Sequence, residues 1–122
     1  MATVLIIDDD AAVRDGLRET VADQQHQVLE ATTGVDGLEI IKTRRVDAVL
    51  LDLRMPGLDG PALYEALRAM PQTRIPRVIF MTGNAGSGKY ATFLRGTTEP
   101  MLEKPFNLDT VRHVVNVLLR EQ

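Results

Sequence analysis

The stretch VLIIDDD at residues 4–10 places a continuous apolar run directly before three aspartates. Two other runs are equally apolar, AVLL at 48–51 and VIFM at 78–81. Runs without polar positions are typical of strands that are buried on both faces of a parallel sheet. Two weaker strand signals, VLEA at 28–31 and MLE at 101–103, complete a set of five. These runs decide the fold, because each predicts one strand of the same sheet.

Helical periodicity separates the predicted strands. Apolar residues recur at steps of three and four in stripes typical of amphipathic helices. The stripes are Val13, Leu17 and Val21; Val35, Leu38 and Ile41; Leu63, Leu67 and Met70; and Val111, Val114, Val115, Leu118 and Leu119. Residues 83–100 are rich in glycine and predict only a short helix near 89–94. Asn107 is the predicted N-cap of the last helix, with Asp109 in its first turn.

Five strands that alternate with helices predict an α/β fold. Short connections and right-handed crossovers turn such a chain into an open parallel sheet with helices on both faces. A length of 122 residues is enough for one such domain and too short for two. We therefore expect residues 1–122 to form a single domain.

Composition excludes several classes of function. The chain has 14 basic and 17 acidic side chains and a net charge of −3, which predicts no direct nucleic-acid binding. The absence of cysteine excludes disulfides, thiolate zinc sites and cysteine nucleophiles. The first apolar run is too short for a signal peptide or a membrane span, so we expect no membrane contact and a cytoplasmic location.

Aspartates follow two strands of the predicted sheet. The first strand ends at Asp8, Asp9 and Asp10, and the third ends at Asp52. Ligands of open α/β sheets bind outside the carboxyl ends of the strands. Clustered carboxylates repel one another unless a cation binds, and Mg²⁺ prefers such oxygen ligands. The pattern predicts a Mg²⁺ site; the alternative is that Asp9 or Asp10 caps the first helix and Asp52 lies in solvent.

A hydroxyl and an ammonium group follow the last two strands at the same edge of the sheet. Thr82 supplies a hydroxyl, and Gly83 leaves backbone N–H groups uncovered for an anion. Lys104, followed by Pro105, supplies a positive charge. Together with the carboxylates and a divalent cation, these groups predict a phosphoryl-binding site. The alternative is a solvated lysine and a turn threonine.

Four ordered elements of the chain resemble the receiver domain of two-component response regulators. They are IDDD at 7–10, LDLRMPGLDG at 51–60, FMTG at 80–83 and LEKPF at 102–106. Spacings of 44, 30 and 22 residues separate Asp8, Asp52, Thr82 and Lys104 in turn, as in that family. The resemblance covers nearly the whole chain and implies a flavodoxin-like (βα)5 fold with strand order 2-1-3-4-5.

The resemblance also implies a role for each matching acid. Asp52 would be the phosphoacceptor, taking a phosphoryl group from the phosphohistidine of a histidine kinase or histidine phosphotransfer domain. Asp8 and Asp9 would hold Mg²⁺ together with Asp52. The backbone carbonyl of Arg54 would complete the protein ligands. The chain would then be a signalling switch that catalyses its own phosphorylation and dephosphorylation.

Two further positions complete the implied switch. Lys104 would form a salt bridge with the phosphoryl group, and Thr82 would move to hydrogen-bond it. Most members of the family carry Tyr or Phe three residues before that lysine, whereas this chain has Met101. The thioether either fills the space of the ring or is simply part of the strand. Arg54 and Asn84 occupy positions that tune the phosphoryl lifetime in the family. Arg54 either screens the acidic cluster or contacts the phosphoryl group; the alternative is a solvated arginine.

The segment PMLEKPF at 100–106, preceded by Phe93 and Leu94, resembles receivers at the C-terminus of hybrid histidine kinases. We hypothesise that this chain is such a receiver or a stand-alone relative of one, and not a fragment of a DNA-binding regulator. Its output would be another domain or protein. We expect a monomer or a weak dimer.

Three other functions remain alternatives. Residues 83–89 (GNAGSGK) fit the first seven positions of a P-loop, but Tyr90 stands where Ser or Thr should ligate Mg²⁺. An aspartyl-phosphate phosphatase would resemble Asp-x-Asp, and Arg54 replaces the second acid of that motif. A pseudo-receiver used only for docking is the remaining alternative.

Overall fold

A computed structural model describes residues 2–71, 75–83 and 88–120, and it contains one five-stranded parallel sheet in that part of the chain. The strand order is β2-β1-β3-β4-β5. This order confirms the doubly wound fold that the resemblance implies. The strands are β1 (Thr3–Ile7), β2 (Gln27–Ala31), β3 (Ala48–Asp52), β4 (Arg77–Thr82) and β5 (Met101–Glu103).

Helices follow the strands in turn. They are α1 (Ala11–Asp23), α2 (Gly34–Thr43), α3 (Gly60–Ala69), α4 (Ala91–Gly96) and α5 (Leu108–Arg120). Side chains of α1 and α5 pack on one face of the sheet, and side chains of α2 and α3 pack on the other. All five predicted strands and all five predicted helices are therefore present.

The central strands are buried on both faces because their side chains alternate between two cores. Leu5, Val49 and Phe80 belong to the core beneath α2 and α3. Ile6, Leu50 and other intervening residues belong to the core beneath α1 and α5. A strand that serves two cores has no solvent-facing position, which explains the continuous apolar runs in the sequence.

Polar side chains define where several helices begin. Asp10 accepts hydrogen bonds from the backbone N–H groups at the start of α1, and Thr33 does the same for α2. Asp59 caps α3 through the Ala62 N–H. Asn107 accepts a 2.7 Å hydrogen bond from the Asp109 N–H, which confirms the cap predicted for α5.

Two local predictions differ from the structure. The fourth helix spans Ala91–Gly96 instead of 89–94, because a turn that contains Gly88 at φ 84° delays its start. Val35 is 63% exposed and does not belong to the buried face of α2. That face contains Gly34 and Gly37, and a Cβ at Gly37 would collide with Ile7. Backbone contact with β1 therefore replaces the predicted valine contact.

Part of the chain singled out by its sequence lies outside the described residues. Asn84 and three other positions of the P-loop-like stretch fall in the range 84–87, which the structure does not describe. Within the described residues, every helix is too short or too polar to cross a lipid bilayer.

Candidate functional site

Three carboxylates converge at the carboxyl ends of β1 and β3. These strands are neighbours, with Ile7 opposite Leu51, so the residues that follow them lie side by side. Asp8, Asp9 and Asp52 each offer a carboxylate oxygen, and these oxygens lie within 4.8 Å of one another. Asp8 is fully buried, Asp52 is 6% exposed, and Asp9 is exposed. The fold thus brings together the three acids predicted as metal ligands.

Asp8 is held by contacts to both of its carboxylate oxygens. Its Oδ1 accepts a 2.9 Å hydrogen bond from the Asp10 N–H. Its Oδ2 accepts a 2.9 Å hydrogen bond from the Lys104 ammonium. A buried carboxylate loses the hydration that stabilises its charge and needs such partners to remain ionised. Lys104 therefore stabilises the charge of the buried Asp8 and also borders the open cleft.

Asp52 has a weaker set of partners. Its Oδ1 accepts a 3.2 Å hydrogen bond from the Arg54 N–H, and its Oδ2 lies 3.5 Å from the Lys104 ammonium. Burial raises the pKa of Asp52 above its ordinary value, and the negative charge of Asp8 raises it further. Lys104 and the Arg54 N–H oppose this shift without cancelling it. The ionised form of Asp52 is thus less stable at this site than that of an ordinary carboxyl group in water.

The ammonium of Lys104 is stabilised in its charged form. Burial by itself lowers the pKa of this group, but the hydrogen bond to Asp8 and the charges of both carboxylates outweigh that effect and raise it. The peptide bond between Lys104 and Pro105 is cis. The Lys104 N–H donates a 2.7 Å hydrogen bond to the Thr82 carbonyl, which fastens the end of β5 to β4. The lysine is therefore a fixed positive charge at the site.

An open cleft of about 930 Å³ joins these groups. Its lining includes the carboxylates, Thr82, Gly83, Lys104 and Arg54. The Thr82 side chain is buried, and the Arg54 side chain is exposed. All the side chains predicted to act on a phosphoryl group thus border one space. Asp10 also borders it, but its carboxylate caps α1, as the alternative for this run of aspartates anticipated.

Sequence reasoning missed two residues at this cleft. Tyr90 borders it, and its hydroxyl donates a 3.2 Å hydrogen bond to Oδ2 of Asp59. Lys89 also borders it, and its ammonium lies 5.4 Å from the centre of the Tyr90 ring. Tyr90 drew attention in the sequence only because it breaks a P-loop pattern. Asp59 was part of the stretch 51–60 that resembles the receiver family, but the sequence analysis gave it no role of its own.

Met101 lies away from the chemistry. It pairs with Phe80 on the edge strand β5 and is 38% exposed. Its thioether also has no hydrogen to donate. Position 101 therefore provides neither an aromatic ring nor a hydrogen-bond donor to the cleft.

The donor set at the cleft fits a hard divalent cation. The three converging side chains offer only oxygen, which Mg²⁺ prefers, and one of them is exposed enough to leave room for water ligands. Two ammonium groups and two hydroxyl groups border the same space and could bind an anion beside the cation. Binding both a divalent cation and a phosphoryl group is therefore the chemistry that this arrangement supports.

The chain is similar in sequence to known regulatory proteins. The C4-dicarboxylate transport transcriptional regulatory protein DctR of Rhodobacter capsulatus is 34% identical over 117 residues, which cover 96% of this chain and 58% of that protein. Response regulator MprA of Mycobacterium sp. (strain KMS) is also 34% identical over 117 residues, covering 96% of this chain and 50% of that protein. The chain thus spans about half the length of these curated relatives.

A solved structure and a family model complete the comparison. The CheY-like response regulator receiver domain from Methylobacillus flagellatus superposes with a TM-score of 0.82 at 28% identity, covering 97% of this chain and 98% of that one. A family model described as the response regulator receiver domain matches residues 4–116. This chain therefore belongs to the family of response regulator receiver domains.

Proposed function

We propose that Asp52 of this receiver domain accepts a phosphoryl group from the phosphohistidine of a histidine kinase or histidine phosphotransfer domain. The observation that carries the proposal is the Lys104 ammonium, which lies 2.9 Å from Asp8 and 3.5 Å from Asp52. A fixed cation between a buried acid and a nucleophilic acid is suited to binding a transferred anion. Membership of the receiver family supports the same role.

The proposed transfer is a substitution at phosphorus. A carboxylate oxygen of Asp52 forms the new O–P bond, and the N–P bond to the donor imidazole breaks, with its electron pair remaining on the imidazole nitrogen. Lys104 balances charge on the phosphoryl oxygens, and the Thr82 hydroxyl donates a hydrogen bond to one of them. A carboxylate is a weak nucleophile, so the protein contributes mainly positioning and charge neutralisation.

The same acids would hold the metal. Asp8, Asp9, Asp52 and the backbone carbonyl of Arg54 are the proposed ligands of Mg²⁺, which when bound neutralises negative charge on phosphoryl oxygens. The Arg54 N–H fixes one oxygen of Asp52. This contact orients the carboxylate before any phosphodonor arrives.

Hydrolysis of the acyl phosphate would reset the switch. Water attacks phosphorus, inorganic phosphate leaves, and the Asp52 carboxylate is regenerated. Lys104 again faces the developing negative charge. In this proposal the chain catalyses its own phosphorylation and dephosphorylation, and its output is a changed surface for a partner.

The wider setting of the domain is also a proposal. We propose that it acts in the cytoplasm as the receiver of a hybrid histidine kinase or as a stand-alone relative, as a monomer or a weak dimer. The segment 100–106 supports the kinase subtype. The curated relatives named above are regulators about twice as long, so a gene that encodes a DNA-binding domain after Gln122 would overturn that subtype.

Intact-mass measurement tests the central proposal. The chain is incubated with acetyl phosphate, with and without Mg²⁺, and compared with Asp52→Ala. We expect the mass of one phosphoryl group to be added to the wild type only when the metal is present, and no adduct on the variant. Absence of an adduct on the wild type, or an equal adduct on Asp52→Ala, would contradict the proposal.

A further inference from the structure

One hydrogen bond links the residue before α4 to the cap of α3. The Tyr90 hydroxyl donates to Oδ2 of Asp59 at 3.2 Å. The other oxygen of the same carboxylate, Oδ1, accepts from the Ala62 N–H at 3.1 Å and caps α3. Asp59 therefore joins two segments that are distant in sequence, and it does so through two different oxygens.

The Tyr90–Asp59 hydrogen bond is a weak one for its type. Hydrogen bonds from a hydroxyl to an ionised carboxylate are typically about 2.5–2.7 Å long. At 3.2 Å the phenol makes only a weak hydrogen bond to Asp59. A weakly bonded hydroxyl can exchange its acceptor when a stronger acceptor comes within hydrogen-bonding distance.

The Tyr90 side chain borders the space in which a phosphoryl group would lie. It lines the cleft together with Asp52, Thr82 and Lys104. Among the described residues of that lining, Thr82 and Tyr90 are the ones with a hydroxyl group. The Tyr90 ring also packs against the core beneath α2 and α3, which limits where the hydroxyl can move.

Nearby charges, including that of Asp52, act on the Tyr90 hydroxyl. Partial burial raises the pKa of Tyr90, and the charge and hydrogen bond of Asp59 raise it further. Arg54 lowers this pKa, and the charge of Asp52, the smallest of these contributions, raises it. Because the charge of Asp52 already acts on the phenol, a more negative group on Asp52 would attract the hydroxyl hydrogen more strongly.

We propose that the Tyr90 hydroxyl is a second phosphoryl-binding donor, which leaves Asp59 and donates a hydrogen bond to phosphorylated Asp52. This inference rests on the proposed phosphorylation of Asp52. The exchange draws the residue before α4 towards the end of β3 and frees Oδ2 of Asp59. Phosphorylation is thereby transmitted to the start of α4 by a tyrosine that lies outside β5.

Two substitutions separate the roles of the hydroxyl. Tyr90→Phe keeps the ring that packs on the core and removes only the donor. Asp59→Asn keeps an Oδ1 that caps α3 but replaces the competing acceptor Oδ2 with an amide that cannot accept the hydroxyl hydrogen. The probe is beryllofluoride with Mg²⁺, a stand-in for the phosphoryl group, and its affinity is measured by isothermal titration calorimetry.

The proposal makes opposite predictions for the two variants. Tyr90→Phe should weaken beryllofluoride binding by about tenfold, the size expected for a hydrogen bond to a charged group. Asp59→Asn should strengthen beryllofluoride binding, because the competing acceptor is gone, and this gain should be absent in the Y90F background. Equal affinities of wild type and Tyr90→Phe would overturn the proposal. A loss of affinity in Asp59→Asn as large as in Tyr90→Phe would overturn it as well.

A spectroscopic measurement locates the contact directly. The chain contains two tyrosines, so 3-fluorotyrosine labelling gives two ¹⁹F signals, and Tyr90→Phe assigns them. We expect beryllofluoride to shift the Tyr90 signal more than that of Tyr64, whose hydroxyl accepts from Arg68. An unmoved Tyr90 signal with bound beryllofluoride overturns the inference alone. A wild type that neither binds beryllofluoride nor gains an acetyl phosphate adduct overturns the proposed function too.

Discussion

The Lys104 ammonium lies 2.9 Å from a carboxylate oxygen of Asp8, an acid that is fully buried. The Lys104 side chain itself is 25% exposed and also lies 3.5 Å from Asp52. A buried ionised acid without a partner destabilises the fold, so Lys104 stabilises the protein even when no phosphoryl group is bound. Its stability role and its proposed chemical role can be tested separately.

Removing the lysine charge should destabilise the fold. We expect Lys104→Met to lower the free energy of unfolding by about 3 kcal/mol in metal-free buffer, because the buried Asp8 loses its cationic partner and keeps only the hydrogen bond from the Asp10 N–H. Urea denaturation measures the change. Lys42→Met is the control, since Lys42 is exposed near the end of α2. Addition of Asp8→Asn to Lys104→Met should recover part of the loss, and a Lys104→Met as stable as the control would refute this account.

Metal binding should depend on Asp9 and not on Asp10. We expect Mg²⁺ to raise the melting temperature of the wild type, because the metal binds the folded state and relieves repulsion among three carboxylates. Asp9→Asn should raise the Mg²⁺ concentration at the midpoint of this effect by at least about tenfold. The measurement is a thermal melt at increasing Mg²⁺.

Asp10→Asn is the matched control for Asp9→Asn. It removes the same charge one residue away, while asparagine retains the cap on α1. We expect the Mg²⁺ midpoint of this variant to stay close to that of the wild type. Equal shifts in both variants would mean that general acidity, not a ligand, controls binding.

Ionisation of Asp52 should lower the stability of the folded protein. The pKa of Asp52 is raised in the folded state, chiefly by burial and then by Asp8, so the folded protein holds this proton more tightly than the unfolded chain. Stability is therefore lost as the pH rises through the folded pKa of Asp52. We expect Asp52→Asn to be more stable than the wild type at neutral pH by about 1 kcal/mol, a common size for a single substitution.

The pH dependence makes this prediction specific. The gain in stability of Asp52→Asn over the wild type should vanish when the pH is below the ordinary pKa of a carboxyl group. It should reach its full size when the pH is above the raised pKa of Asp52 in the folded protein. Chemical denaturation from acidic to neutral pH, with a chelator present, gives the comparison. An advantage that does not change with pH would show that Asp52→Asn acts through packing instead of charge.

Two helix glycines should respond in opposite ways to alanine. A Cβ at Gly16 in α1 meets no atom within 4 Å, so Gly16→Ala should stabilise the protein by about 0.5–1 kcal/mol through helix propensity. A Cβ at Gly34 in α2 would collide with the backbone carbonyl of Leu58, so Gly34→Ala should destabilise it. Thermal melts of both variants test this difference, and a stabilised Gly34→Ala would contradict the close approach.

Much of the fold was predictable from local patterns in the sequence. The runs at 4–7, 48–51 and 78–81 are apolar throughout, because a strand between two helical layers has no solvent-facing position. The places of Asp8, Asp52 and Thr82 at strand ends followed from these runs, and the place of Lys104 followed from the weaker strand signal at 101–103. Parallel strands deliver their carboxyl ends to one edge, so the sequence was enough to predict that these four side chains share the cleft, although it missed Lys89 and Tyr90 there.

The partners of those residues depend on the tertiary structure. Which acid is buried against Lys104, and which caps a helix, depends on distances between β1, α1 and β5 that no local pattern records. The exposure of Val35 and the contact between Tyr90 and Asp59 have the same origin. Periodicity reports how each segment divides its own polar and apolar faces, whereas a contact between segments depends on how closely their backbones approach.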